Sequence, residues 1–241
     1  MSAVRNQTQA ADEAIGDPSA QTRQRLLEAA AQVFAEGGFR AATVREICKR
    51  AQANVAAIHY HFGDKDGLYV AVFREFASRA QTRYPITLAA APTDPAPARL
   101  RSFVLALLYR MLDDGVHGCG GAILLREFVE PTHVLDEMAR TVVRPMMDAL
   151  RAIVRSLLEE AHPGRTLTGA EIDLHTFSII GQVVFYKHSR PLLLRVSPDR
   201  VLEKDNLEPI AEHITQFSLA AIRSRRSLGA SPAHKSRSKR P

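Results

Sequence analysis

Apolar residues recur at helical spacing along most of this 241-residue chain, and that pattern restricts its fold more than any other feature of the sequence. From Leu26 to Phe34 they follow the i, i+3, i+4, i+7 rule of one buried helix face, and from Leu100 to Met111 they do so again. The alternation of apolar and polar residues that half-buried strands require is not sustained anywhere. The sequence therefore predicts an all-α protein.

Capping residues divide the N-terminal part of the chain into short helices. Thr22 is the expected N-cap of the first helix, which Gly37-Gly38 ends. Thr43 opens a second helix and forms a capping box with Glu46. These signals place two helices in the first fifty residues.

A third helix is predicted soon after the second. Asn54 caps it, Gly63 breaks it, and Asp64 caps a fourth helix that links the two parts of the chain. Two short helices joined by about three residues form a helix-turn-helix, whose second helix enters the major groove of DNA. This segment is therefore the candidate DNA-binding unit.

The third helix carries side chains suited to DNA. We expect Val55, Ile58 and Phe62 to pack inward, which leaves short or hydrogen-bonding residues outside. Ala57 is small enough to reach a thymine methyl group, and its neighbours suit phosphate oxygens. The candidate DNA-binding residues are Thr43, Arg45, Asn54, Ala56, Ala57, His59, Tyr60, His61 and Lys65. The alternative is that the aromatic residues merely cap a small helical bundle.

Proline separates this unit from a larger helical part. The stretch over residues 90–97 is the most proline-dense in the chain. Five more helices are predicted beyond it, over residues 97–113, 118–130, 132–160, 169–190 and 205–226, and Pro145 should kink the third of them. The predicted domains are a disordered arm over 1–20, a helix-turn-helix domain over 21–66, a ligand-binding and dimerisation domain over 67–227, and a basic disordered tail over 228–241.

The net charge of +6 does not by itself indicate DNA binding. Seven lysines and arginines lie between Arg223 and the C-terminus with no acidic residue among them, so the rest of the chain is close to neutral. Whether this tail adds phosphate contacts or is only solvated is left open. No signal peptide and no apolar run of about 20 residues is found, and the two cysteines make no disulfide framework. We therefore expect a cytoplasmic protein without a membrane partner.

The segment from Arg23 to Leu68 resembles the DNA-binding domain of the TetR family of repressors. The matching elements are Gly38-Phe39, the run from Thr43 to Ile47, Tyr60-His61-Phe62 and Lys65. Four residues depart from the family pattern, namely Cys48, Gln52, Ala53 and His59. Gln52 must adopt the left-handed backbone that glycine accepts more easily, and His59 replaces an aromatic residue. The resemblance implies a homodimer that binds a double-stranded DNA operator and responds to a small-molecule inducer.

The C-terminal part resembles the CecR-type subgroup of that family. The matching elements are residues 126–131, Arg144-Pro145 and residues 181–191. The subgroup implies control of efflux or membrane-fusion genes in response to hydrophobic toxic compounds. Candidate ligand-binding residues are Arg126, Phe128, Glu130, Arg144, Met146, Met147, Phe177 and Tyr186. Arg126 and Glu130 are four residues apart and are expected to pair. The alternative is that these side chains form an ordinary core and a structural salt-bridge network.

Other functions receive little support from the sequence. It contains no nucleophile motif, no phosphate loop and no metal-ligand spacing, so we expect neither catalysis nor a cofactor or metal. The family's dimer implies that the last two helices pair with their symmetry mates, and the small residues Ser178 and Gly181 would allow close approach there. Two alternatives remain, a helix-turn-helix factor without a small ligand and a helical enzyme or carrier.

Overall fold

The computed structural model describes residues 17–88, 90–113, 119–197 and 207–224. Within these ranges the chain consists of helices and short connections without a strand, which confirms the all-α prediction. In chain order the helices are α1 (Pro18–Ala41), α2 (Val44–Ala51), α3 (Val55–Phe62), α4 (Lys65–Arg83), α5 (Ala96–Leu112), α6 (Cys119–Val129), α7 (Leu135–Met138), a π-helical segment (Ala139–Val143), α8 (Arg144–Ala161), α9 (Gly169–His188), α10 (Arg190–Val196) and α11 (Leu207–Arg223). Residues 1–16 of the predicted arm and the predicted basic tail over 228–241 lie outside the described ranges. None of the described helices is long and apolar enough to cross a membrane.

Three predicted caps form as expected. The Thr43 hydroxyl oxygen accepts a hydrogen bond from the Glu46 amide at 3.2 Å. The side-chain Oδ1 of Asn54 accepts one from the Ala57 amide at 2.9 Å, and the Asp64 carboxylate accepts one from the Gly67 amide at 2.8 Å. Each bond satisfies an amide of the first helical turn that has no partner within its own helix. Local sequence therefore fixes where α2, α3 and α4 begin.

The first helix begins earlier than predicted. Asp17, not Thr22, is its N-cap, and its carboxylate accepts from the Ser19 amide at 2.9 Å. Pro18 explains the difference, because its fixed φ suits the first helical position and its missing amide hydrogen is not needed there. Gly38 interrupts the helix with a φ of +73°, as the paired glycines predict, and a last short turn continues to residue 41.

Two of the helices predicted for the C-terminal part are each divided into separate helices. The segment over 132–160 contains α7, the π-helical turn and α8, because Pro145 in the first turn of α8 cannot donate to a carbonyl of the preceding turn. The segment over 169–190 ends at His188, and Pro191 lies in the first turn of the separate helix α10. Each of these prolines therefore separates two helical segments instead of only bending one helix.

The angle between α3 and α4 depends on Gly67. A Cβ atom at that position would lie 2.1 Å from the Phe62 carbonyl oxygen, which is far inside van der Waals contact. Only glycine therefore lets the first turn of α4 pass this close to the end of α3. Ile58 and Leu68, one from each helix, are both buried in the resulting corner.

Helix α4 connects the DNA-binding unit with the rest of the molecule. Its Tyr69 lies in an aromatic cluster with Phe34 and Phe39 of α1, at ring-centroid distances of 4.6 and 5.0 Å. Farther along, α4 packs against α6, while α5, α8, α9 and α11 form the remaining helical bundle. A single cluster of buried apolar residues runs through both parts.

Gln52 has the left-handed backbone that the sequence predicts, with a φ of +51°. We expect Gln52→Gly to raise the free energy of unfolding by about 0.5 kcal/mol, because relief of the backbone strain exceeds the extra entropy of an unfolded glycine. Gln52→Val is the matched control and should lower it by about 1 kcal/mol, since a β-branched residue tolerates this region poorly. Urea titration followed by circular dichroism measures both, and a glycine variant less stable than the parent would contradict the assignment.

Candidate nucleic-acid interface and effector cleft

Helix α3 packs inward through Ile58, which is buried, and Phe62, which is half-buried. The prediction that Val55 also faces inward is wrong, because its side chain is 46% exposed. Val55 is the first residue of the helix, and the packed face begins only with the half-buried Ala57 in the same turn. The first turn of α3 therefore projects from the domain, as a groove-reading element requires.

The exposed side of α3 is dominated by Tyr60. Its side chain is 80% exposed, although it is a large aromatic residue, and its ring meets His61 edge to face at a centroid distance of 4.8 Å. Ala56 is exposed as well, whereas Ala57 is half-buried against the core. Ala56 is therefore better placed than Ala57 to contact a thymine methyl group.

His59 has a more specific geometry than the sequence indicates. Its Nδ1 lies 2.7 Å from the carbonyl oxygen of Gly63, and a carbonyl only accepts, so this ring nitrogen carries the hydrogen. In the neutral ring Nε2 is then an acceptor. His59 is therefore suited to receive a bond from a base amino group, and the phosphate role expected for it does not fit this tautomer.

The remaining N-terminal candidates differ in what their side chains already bind. Thr43 and Asn54 use a side-chain oxygen to cap their own helices, which leaves the hydroxyl hydrogen of one and the amide hydrogens of the other for DNA. Arg45 is exposed in the first turn of α2 and makes no salt bridge within the described ranges. Of the predicted phosphate-binding cations, Arg45 has its whole guanidinium available.

Lys65 has internal partners that were not predicted. Its ammonium donates to the carbonyl oxygens of Phe39 at 3.0 Å and Ala42 at 3.2 Å, and it lies 4.2 Å from the centroid of the Phe39 ring. These bonds hold the beginning of α4 against the end of α1. The structure thus gives Lys65 a positioning role inside the DNA-binding unit, where the sequence indicated a free phosphate contact.

Arg126 does not pair with Glu130, so that prediction is wrong. The Arg126 guanidinium donates from Nε to the carbonyl oxygen of Ala35 at 3.0 Å and from Nη2 to that of Glu36. These are carbonyls near the end of α1 that the helix itself leaves without partners. A side chain on α6 therefore caps the helix that precedes the helix-turn-helix, which no i, i+4 rule could predict.

The neighbouring Glu127 ties α6 to α4. Its carboxylate is buried and accepts from the Tyr69 hydroxyl at 2.8 Å, from the Thr132 amide at 2.8 Å and from the Thr132 hydroxyl at about 3.0 Å. Burial, together with this bond to the carboxylate, raises the pKa of Tyr69 well above its usual range. Tyr69 thus stays protonated and remains a donor.

Arg126 and Glu130 line one pocket of about 240 Å³ beside the end of α1, and the other predicted ligand-binding residues do not line it. Phe128, Arg144 and Phe177 are exposed on separate helices. Met147 is a buried core residue, and Tyr186 is half-buried against the core. Helical spacing predicts which residues share one face of a helix. It does not predict the cavities between helices, because those depend on the angles at which the helices cross.

A cleft of about 390 Å³ lies elsewhere, between α4, α5, the π-helical segment and α8. It adjoins a smaller apolar chamber that α6 closes. Residues that line both spaces are Ala77, Arg110, Val142 and Met146. Met146 is the sequence candidate found here. Arg110 was missed, although a charge within the apolar stripe of α5 is a signal that could have identified it.

Helices α9 and α11 share an uncovered apolar face. Leu174, Phe177 and Phe185 of α9 and Phe217 of α11 are exposed there. Ser178 and Gly181 lie on the exposed side of α9, as the predicted interface requires. A groove of about 260 Å³ runs between the two helices and is lined by residues of both. The face is therefore suited to receive apolar side chains from another helical pair.

Comparison with known families gives two matches to this chain. Residues 26–72 match the model of bacterial regulatory proteins of the tetR family. Residues 96–222, just over half of the chain, match the model of the C-terminal domain of the transcriptional dual regulator CecR. The two segments correspond to the helix-turn-helix unit and to the helical bundle that contains the cleft.

Individual proteins agree with the family models. The chain is 26% identical to the transcriptional dual regulator CecR of Shigella flexneri over 211 residues, which is 81% of this chain and 88% of that protein. It is 44% identical to the transcriptional repressor AcnR of Corynebacterium glutamicum over 66 residues, 27% of this chain and 35% of that protein.

Solved structures share the fold. A putative transcriptional regulator from Pseudomonas aeruginosa PAO1 superposes with a TM-score of 0.65 at 22% identity, over 88% of this chain and 97% of that one. AibR, in complex with isovaleryl coenzyme A and operator DNA, superposes with a TM-score of 0.61 at 14% identity, over 81% and 97% of the two chains.

Proposed function

The chain belongs to the TetR family of bacterial regulatory proteins, with a C-terminal domain of the CecR type, and we propose that it is a homodimeric, ligand-released repressor. In this proposal it binds a pseudo-palindromic operator and dissociates when a small hydrophobic molecule enters the cleft. The observation that carries the DNA-binding part is Tyr60, whose 80% exposed ring stands on the projecting face of α3. From the CecR-type domain we further propose that the regulated operon serves efflux or detoxification.

The proposed DNA contacts come from the first turn of α2 and from α3. Tyr60, His61 and Arg45 supply groups for phosphate oxygens, which position the domain without reading sequence. Ala56 and His59 face the bases, one by apolar contact and the other by accepting a hydrogen bond. In a symmetric dimer the two copies of α3 lie about one turn of DNA apart, roughly 34–36 Å, which matches the half-sites of a pseudo-palindrome.

The apolar face of α9 and α11 is the proposed dimer interface. Its exposed phenylalanines and the groove beside them fit an isologous contact, in which each subunit presents the same surface. The exposed Gly181 has open space around it, so backbones can approach closely. Pairing two helices from each subunit would produce a four-helix bundle.

Release is proposed to pass through α4 and α6. Both helices line the cleft or its apolar chamber. Both also hold the end of α1, one through Lys65 and the other through Arg126. A ligand that favours a different separation of these helices lowers DNA affinity in proportion to its differential affinity for the two arrangements. In AibR the same fold is seen in complex with a small ligand and operator DNA, which supports the presence of both a ligand site and a DNA site on this fold.

The experiment that tests the function is selection of genomic DNA by the purified protein. Fragments retained by the immobilised protein are sequenced, and the expected result is enrichment of a pseudo-palindrome with half-sites about ten base pairs apart. Enrichment of a single half-site would contradict the dimer, and no enrichment would contradict DNA recognition. An organic extract of the source cells that releases the selected operator would support ligand control.

Arg45 and Lys65 are expected to respond differently to substitution. Arg45→Ala removes a phosphate contact, so DNA binding should weaken for every sequence, and the dependence of log affinity on log salt should fall by about 0.9 per subunit. Lys65→Ala breaks internal bonds, so it should lower the free energy of unfolding by about 1–2 kcal/mol with little change in that slope. Fluorescence anisotropy over a salt series and urea titration measure both, and a reversed pattern would contradict these roles.

A further inference from the structure

Arg110 is a charged residue in an apolar setting. It lies on α5 among Leu107, Leu108 and Met111, all of which are buried. Arg110 lines both the 390 Å³ cleft and the adjoining chamber. A cation in such a position loses hydration, and burial accordingly lowers the pKa of Arg110. It nevertheless remains charged at neutral pH.

The hydrogen bonds of Arg110 are incomplete. Nε donates to the carbonyl oxygen of Tyr84 at 2.8 Å. Nη2 is shielded from solvent and has no acceptor within the part of the chain that the structure describes. Asp113 lies just after the end of α5, and its carboxylate accepts from the Tyr84 hydroxyl at 2.7 Å. A buried charged donor without an acceptor is unfavourable, because its bonds to water have been lost.

The rest of the cleft combines apolar side chains with the neutral polar residues Ser78, Gln81 and Thr141 and with one further cation. Arg74 lines the larger space, and its guanidinium is paired with Glu137. Met146, Val142 and Ala77 supply apolar wall, and the chamber beyond them is lined mostly by apolar side chains. No carboxylate lines either space within the described ranges. The cleft therefore presents one uncompensated positive charge beside apolar walls.

We infer that the effector of this protein is an apolar monocarboxylic acid, whose carboxylate accepts hydrogen bonds from Arg110 and whose hydrocarbon part fills the cleft and the chamber. This inference depends on the proposed function, in which the cleft is the effector site. Because Nε already donates to Tyr84, the edge of the guanidinium formed by Nη1 and Nη2 is the one that remains for a ligand, and such an edge binds one planar carboxylate through two parallel bonds. A ligand head group that carries several negative charges would leave the additional charges unpaired in a site of this composition.

Calorimetric titration of the DNA-free dimer with decanoate tests the inference, and 1-decanol and decylamine serve as head-group controls. The expected result is saturable binding of one decanoate per subunit, at least about tenfold tighter than binding of 1-decanol, with no binding of decylamine. Arg110→Met should weaken decanoate at least tenfold without weakening 1-decanol. Arg110→Lys should be intermediate, because an ammonium keeps the charge but not the planar pair of donors.

Arg101→Met is the matched control, because Arg101 lies on the same helix but pairs with Glu212 on α11, outside the cleft. It should bind decanoate as the parent does. Equal affinities of the parent for decanoate and 1-decanol, or unchanged decanoate affinity in a folded Arg110→Met variant, would overturn the inference. If Arg110→Met does not fold, the head-group comparison and Arg110→Lys decide the question.

Operator release is measured separately, so that the two proposals fail in different ways. Decanoate binding that depends on Arg110 but leaves the operator complex intact supports the carboxylate site and contradicts ligand-released repression. Release of the operator by the cell extract without any decanoate binding supports ligand-released repression and contradicts the carboxylate site. Each outcome is read from a different titration of the same protein.

Discussion

Replacing Glu127 with alanine is expected to lower the free energy of unfolding by about 3 kcal/mol or more. The substitution leaves the Tyr69 hydroxyl and the amide and hydroxyl of Thr132 without the carboxylate that they now share. Each buried donor that loses its partner costs about 1–3 kcal/mol. Glu127 is 1% exposed, so water does not replace the carboxylate without local rearrangement.

Urea titration followed by circular dichroism measures this effect, at one fixed protein concentration because a dimer's stability depends on concentration. Glu130→Ala is the matched control. Glu130 is exposed just after the end of the same helix, and its loss should change stability by less than about 0.5 kcal/mol. Combining Glu127→Ala with Tyr69→Phe should cost less than the sum of the single changes. Additive effects, or equal stability of the two alanine variants, would contradict the proposed bond.

A glutamate at Phe177 is expected to convert the dimer into monomers. Phe177 is 54% exposed in the middle of the apolar face of α9, and the twofold axis would bring its symmetry copy onto the same surface. Among the described residues no lysine or arginine lines the neighbouring groove, so a carboxylate buried there on both subunits makes association unfavourable. Because the two half-sites then bind independently, operator affinity should fall at least about a hundredfold.

Phe128→Glu is the matched control for the dimer. Phe128 is 55% exposed, nearly as much as Phe177, but it lies on α6, away from the proposed interface. This variant should stay dimeric. Light scattering after size-exclusion chromatography gives the molar mass, circular dichroism confirms the fold, and anisotropy gives operator affinity. A dimeric Phe177→Glu protein, or loss of the dimer in both variants, would rule out the face of α9 and α11 as the interface.

Interactions within one helical turn were predictable from the sequence. The caps at Thr43, Asn54 and Asp64 and the left-handed backbone at Gln52 each involve residues no more than a few positions apart. Their geometry follows from local dihedral preferences and from the spare donors at a helix end. Two further features are local effects of proline, namely the early start of α1 at Pro18 and the division of two C-terminal helices. Both follow from the fixed φ and the missing amide hydrogen of proline, so the sequence contains the signal for them.

Partners far apart in the sequence were not predictable. The sequence predicted a phosphate contact for Lys65 and a pair with Glu130 for Arg126, but both side chains donate to carbonyls of α1, which lie about 90 residues away for Arg126. Val55 has the apolar character of a core residue and is exposed only because of where the supporting helices end. The cleft beside Arg110 consists of walls from four separate elements, and its position depends on their crossing angles.

The sequence by itself determined the helices, their caps, the turn between α2 and α3 and the family, because periodicity and capping act within one or two helical turns. Only the tertiary structure decided which charged groups hold α1 in place, which face is left uncovered and where the cleft lies. Those features arise from packing between helices that are distant along the chain. The role of the Arg110 guanidinium depends on the groups that surround it in space, and its neighbours in sequence do not specify those groups.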